Sequence, residues 1–196
     1  MTPRLGQTPS QTVGPYFSMR LSGEGQNVLA GAGVRNERIR IEGRVLDGER
    51  KHIEDALIEI WQANSGGRYR HPDDTRTEIP TDEEFIGFGR AATDFTTGLY
   101  WFDTIKPGPV PDPEGELQAP HINVIVQARG MLDPSFTRIY FSDEDDANGR
   151  DLVLGRVPAE RRSTLIAPCV DEKADPKVYR FDIRFQGDDE TVFFDF

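Results

Sequence analysis

Period-two alternation is the strongest constraint on this chain. Tyr179, Phe181, Ile183 and Phe185 alternate with Arg180, Asp182, Arg184 and Gln186, and Ile39, Ile41, Gly43 and Val45 alternate with charged neighbours. Side chains on a strand point to opposite faces in turn, so each run has one buried and one wetted face. Further strands are expected at Ala56 to Trp61, Gly87 to Thr93, Leu99 to Ile105, Ile122 to Val126, Thr137 to Phe141 and Val192 to Phe196, separated by turn residues such as Asp47-Gly48. Sustained 3.6-residue periodicity is almost absent, apart from a helical turn expected around Pro158 to Thr164. The pattern predicts an all-β fold, an antiparallel β-sandwich with long loops and an extended N-terminal arm.

At 196 residues, one domain is expected. Residues 1–35 read as an arm rich in Pro, Gly, Ser and Thr, and residues 36–196 as the body. The aromatic patch of Tyr16 and Phe17 beside Thr12, Gly14 and Pro15 suits packing on a partner, while composition alone leaves docking and disorder equally open. The net charge of −11, from 34 acidic against 23 basic residues, opposes binding to nucleic acid or anionic membranes. No stretch has the length of a membrane span or the pattern of a secretory signal. One cysteine, Cys169, cannot form an internal disulfide, so a reducing cytoplasm is the expected location and apolar packing the expected role.

The segment Lys106 to Asn123, KPGPVPDPEGELQAPHIN, carries prolines at 107, 109, 111 and 113, which remove backbone donors and predict a stiff, extended loop. It opens into a strand that sets His121, Asn123, Ile125, Gln127 and Arg129 on one face. Arg129 offers a fork suited to a carboxylate, although residue type and position alone favour an ordinary surface ion pair. His71 reads as a solvated loop histidine and His52 as a surface residue. The acidic cluster Asp143 to Asp146 lacks a calcium-loop spacing and reads as solvated.

The stretches TPSQTVGPYF, EIWQANSGGRYRH, TIKPGPVP, APHIN, ARG, YRFDIRFQG and ETVFFDF resemble the intradiol ring-cleaving dioxygenases, and among these the α chains of the heteromeric members. The similarity covers nearly the whole chain. In iron-binding members, two tyrosinates and two histidines hold Fe³⁺. By position, Tyr69 and His121 remain here, Val110 stands where the second tyrosine belongs, and Asn123 where the second histidine belongs. Ferric iron needs anionic oxygen and imidazole donors, which valine and an amide do not supply. The resemblance therefore implies a degenerate metal site, no cofactor in this chain, and Fe³⁺ in a partner β chain.

It also implies protocatechuate (3,4-dihydroxybenzoate) and O₂ as substrates, 3-carboxy-cis,cis-muconate as product, and a place in aromatic-compound catabolism through the β-ketoadipate pathway. A higher-order oligomer of αβ units is implied too. Arg129, Thr12, Gly14, Pro15 and Tyr16 would line the substrate pocket shared with the β chain, with no catalytic residue in this chain alone. Two other readings stay open: an autonomous metal enzyme using Tyr69, His71 and His121, and a non-catalytic β-sandwich binding or scaffold module.

Overall fold

A computed structural model describes residues 6–14, 16–34 and 36–195. The strands are β1 (Arg38–Leu46), β2 (Leu57–Trp61), β3 (Phe88–Ala92), β4 (Leu99–Ile105), β5 (Val110–Pro111), β6 (Leu117–Gln118), β7 (His121–Gln127), β8 (Ser135–Phe141), β9 (Ile166–Ala167), β10 (Cys169–Asp171), β11 (Lys177–Arg180) and β12 (Ile183–Arg184). Helices are short: α1 (Phe17–Leu21), α2 (Asp145–Asn148), α3 (Leu152–Arg156) and a 3₁₀ segment, Ala159–Leu165. Among the described residues no helix is long and apolar enough to cross a membrane.

Two five-stranded sheets face each other as a sandwich. One runs β10-β11-β1-β12 with β4 also paired to β1, and the other runs β3-β2-β7-β8-β9. Their inner faces carry the alternating apolar sets: Ile39, Ile41 and Val45 from β1 and Tyr100 and Phe102 from β4 meet Ile58 and Ile60 from β2, Val124 and Val126 from β7, and Ile139 and Phe141 from β8. All are essentially inaccessible to water, and burying each such side chain contributes on the order of 1.5–3 kcal/mol.

The all-β sandwich is the expected class, with a mixed rather than purely antiparallel weave. Strand β1 pairs in parallel with β11 and β12, and β8 with β9. The single strand expected over Tyr179–Phe185 is split into β11 and β12. Both halves keep one register on β1, but at the break Phe181 turns its carbonyl to accept from Tyr100 Oη at 2.6 Å, and the Asp182 carboxylate accepts from Arg44 N at 2.9 Å. The crossing is possible because residue 43 is glycine: a Cβ there would lie 1.8 Å from the Phe181 carbonyl oxygen. Gly43→Ala is therefore expected to cost about 2 kcal/mol by overpacking. Urea unfolding should show a lower midpoint, and an unchanged midpoint would remove this account of the break.

Two further expectations about the loops and the C-terminal strand are corrected. The terminal strand at Val192–Phe196 reduces to one bridge, Phe136 to Phe194. β7 takes one edge of β8 and β9 takes its Tyr140–Phe141 end, leaving only the Phe136 end free for pairing. Phe196 itself lies outside the described residues. The proline segment is not wholly extended, because β5 and β6 form a small hairpin around Asp112 to Glu116. The acidic cluster is largely solvated, as expected, with Asp143, Asp145 and Asp146 exposed; Asp143 and Glu144 hold the Lys106 ammonium at 2.6 and 2.8 Å, and Asp145 and Asp146 open α2.

In residues 1–35, helix α1 occupies a stretch read as non-helical, and Leu29, Ala30 and Val34 belong to the sandwich core. Cys169 is a free thiol packed against the same core, and burial pushes its pKa up. His52 is half-buried in a bridge to Leu46 rather than on the open surface. Arg162 caps carbonyls at the end of α3, donating to Val157 O and Gly155 O.

Candidate functional site

Four neighbouring strands, β3, β2, β7 and β8, and two loops build a cavity of about 1070 Å³. Register places Trp61 of β2 beside Asn123 of β7, and Asn123 beside Arg138 of β8. The loop after β2 adds Tyr69, whose ring stacks on Trp61 with centroids 5.8 Å apart and planes 8° from parallel. The proline segment adds Val110. These two loops interlock: Gly108 N donates to Asn64 O at 2.9 Å, and Gly67, at φ +82°, lies so close to Pro109 that a Cβ would come within 2.0 Å of its carbonyl oxygen. Asp74 accepts from Tyr69 N at 2.8 Å and grips Arg76, whose guanidinium holds its carboxyl at about 2.

The four degenerate metal-site positions meet in one hydrogen-bond chain or beside it. Asn123 Nδ2 donates to Tyr69 Oη at 3.2 Å, and Asn123 Oδ1 accepts from Arg138 Nε at 3.1 Å. Arg138 Nη1 donates to Gln118 Oε1 at 2.8 Å and reaches Tyr140 Oη at 3.5 Å. Tyr140 in turn donates to Asp151 at 3.1 Å, and Asp151 also accepts from Ala119 N and caps α3 at Leu154 N.

His121 is 2% exposed and donates through Nδ1–H to Ala119 O at 2.8 Å. Burial, and behind it the Arg138 charge, push its pKa down to about 4. Desolvation holds the Tyr69 phenol above its ordinary value, so both groups are neutral near pH 7.

This donor set does not fit ferric iron. Val110 is buried and has no donor atom, Asn123 spends both ends of its amide on Tyr69 and Arg138, and a guanidinium is hydrogen-bonded among the very side chains that would have to face a cation. Among the described residues no three His, Cys, Asp or Glu side chains come together as a metal cluster. His71 lines the cavity mouth about half exposed, edge-on to Trp61.

Arg129 and the arm meet elsewhere. Gly130 N donates to Thr12 Oγ1 at 2.8 Å, which ties the arm to the turn that follows β7. Arg129 Nε lies 3.1 Å from Asp55 Oδ2, with the arginine 59% and the aspartate 10% exposed at the side chain. Tyr16 is exposed, Gly14 has open space around it, and Pro15 lies outside the described residues. β7 ends at Gln127, and Arg129 lies in the turn beyond it rather than on the strand face expected for it; the seven residues of β7 span roughly 20 Å at about 3.3 Å per residue. The degenerate cluster and the Arg129 cluster thus sit at opposite ends of β7.

Sequence reasoning passed over Arg138, Trp61 and Asp55. Arg138 was within reach: folding β7 onto β8 across the Arg-Gly turn pairs Asn123 with Arg138. Asp55 had no such signal, since its partner is 74 positions away.

A β-sandwich with a loop-end aromatic cavity and a depleted donor set is the class these features define. A family profile described as "Dioxygenase" matches residues 12–187. The protocatechuate 3,4-dioxygenase alpha chain of Burkholderia cepacia is 42% identical over 202 residues, spanning 97% of this chain and 98% of that one. The beta chain from the same organism is 33% identical over 171 residues, spanning 85% and 72%. Among solved structures, the dioxygenase domain of a dioxygenase carbohydrate-binding fusion from Streptomyces sp. SirexAA-E superposes with a TM-score of 0.62 at 24% identity, covering 95% of this chain and all of that one. The chain belongs to the intradiol dioxygenase family.

Proposed function

We propose that the chain serves as the alpha chain of a heteromeric protocatechuate 3,4-dioxygenase, lining a substrate pocket completed by an iron-bearing beta chain. The reading rests on one conjunction: the match to an alpha chain runs end to end, yet Val110 and Asn123 leave this chain without the donors for its own iron. The partner's iron, when bound, supplies the electronic activation of catechol and O₂.

This chain positions and encloses. Asp55 holds Arg129 through Nε at 3.1 Å while the arginine stays 59% exposed at its side chain, so its guanidinium can meet the carboxylate of 3,4-dihydroxybenzoate at the subunit boundary. Thr12, anchored on Gly130, holds the arm beside Arg129, so that Gly14, Pro15 and Tyr16 cover the ring and exclude water. The product is 3-carboxy-cis,cis-muconate. One half-buried free cysteine suits a reducing cytoplasm, where we place the enzyme. Higher-order assembly of αβ units follows the same reading.

Co-expression with a beta chain, then metal counting, tests it. The complex is expected to carry about one iron per αβ unit and to cleave 3,4-dihydroxybenzoate, and this chain alone to carry far less than one and to cleave nothing. Stoichiometric iron and tyrosinate-to-iron colour in the isolated chain would overturn the proposal.

A further inference from the structure

We propose that the cavity between Trp61, Tyr69 and Arg138 is a second, non-catalytic binding site, which takes a planar aromatic carboxylate with Arg138 as its anion anchor. The walls are apolar and flat: the stacked pair Trp61 and Tyr69, with Phe88 tilted against Trp61 at 6.4 Å. At 1070 Å³ the cavity is ample for a single-ring ligand.

Charge decides the ligand's sign. Of the acids lining the cavity, Glu59 is paired with Arg90, Asp74 is paired with Arg76, and Asp73 lies at the mouth, 92% exposed at the side chain. Arg138 has no carboxylate within ion-pair distance among the described residues. Its Nε and Nη1 bond only to neutral oxygens, those of Asn123, Gln118 and Tyr140, and Nη2 has no acceptor among the described residues. The neighbouring Tyr69 and His121 are neutral near pH 7. A half-buried guanidinium with a free edge, beneath aromatic walls, is complementary to an aryl carboxylate.

This site lies at the opposite end of β7 from Arg129 and does not depend on the role proposed for that residue. Occupancy would brace the Trp61–Tyr69 loop against β8 and so couple aryl carboxylate concentration to the order of this end of the sandwich.

The two tryptophans permit a local readout. This chain alone is labelled with 5-fluorotryptophan, assembled with unlabelled partner, and titrated with benzoate, which lacks the hydroxyls needed for ring cleavage. Comparison with the Trp101→Phe variant assigns the two ¹⁹F signals. A saturable shift of the Trp61 signal, with Trp101 unmoved, is expected. Benzamide, equal in shape and uncharged, should bind roughly tenfold more weakly or worse, and Arg138→Gln should weaken benzoate by a similar factor. A Trp61 signal indifferent to benzoate overturns the proposal, as does equal affinity for benzamide in the unsubstituted protein or an unchanged benzoate affinity in the variant. Iron content and ring cleavage in the same assembly report separately on the catalytic reading, so the two can fail independently.

Discussion

Arg129→Leu in the assembled enzyme is expected to raise KM for 3,4-dihydroxybenzoate roughly ten- to a hundredfold. A charge-assisted hydrogen bond in a partly desolvated site contributes on the order of 1.5–3 kcal/mol, and about 1.4 kcal/mol corresponds to one decade. In the isolated chain Arg129 is 59% exposed, where water would screen most of that energy, so the effect requires a partner to close over it. The leucine variant also leaves the Asp55 carboxylate, 10% exposed, without its cation and near the substrate's own carboxylate, which pushes the loss toward the upper end. Arg129→Lys should recover only part, because a point charge replaces a fork. Turnover of uncharged catechols should change little. An unchanged KM, with iron content and assembly intact, would reduce Arg129 to the partner of Asp55.

The second large effect is on stability and is carried by His121. Its pKa falls from an ordinary 6.5 to about 4 in the folded chain, chiefly because burial disfavours the imidazolium. Between those values the unfolded chain binds a proton that the folded chain refuses, so stability rises with pH across the window and is lost as pH falls from 6.5 toward 4. Below about 4 both states are protonated and this contribution stops changing. At about 1.4 kcal/mol per pKa unit, the loss across the window is roughly 3 kcal/mol. Urea unfolding from pH 7 to pH 4 should show that slope, and His121→Gln should flatten it. A variant with the same slope would mean that other groups govern the acid sensitivity.

Wherever side-chain alternation alone sets the structure, the sequence was legible. β4 spans the expected Leu99–Ile105 and β1 begins one residue before the expected Ile39. The split between β11 and β12 was not legible, because it arises from Tyr100 reaching Phe181 across 81 positions and from a contact at Gly43 that requires three strands to be in place. Parallel pairing leaves no mark on a strand's own alternation, so the mixed weave escaped the same reading. Helix α1 is only five residues long and too short to show a period.

At the site, Tyr69, Val110, His121 and Asn123 could be singled out only through the family's ligand pattern. Residue types alone give two ordinary loop and strand residues, a histidine and an amide. The charge that now organises them, on Arg138, belongs to the next strand and becomes visible only through the register of β7 on β8.

That guanidinium has a consequence for how such a protein is made. A metal centre must be loaded after synthesis, competes for a scarce supply and can be stripped by chelators. The cation beside Asn123 is covalently part of the polypeptide, arrives with translation and cannot dissociate. This end of the subunit is therefore complete as soon as the chain has folded, whatever the iron status of the cell.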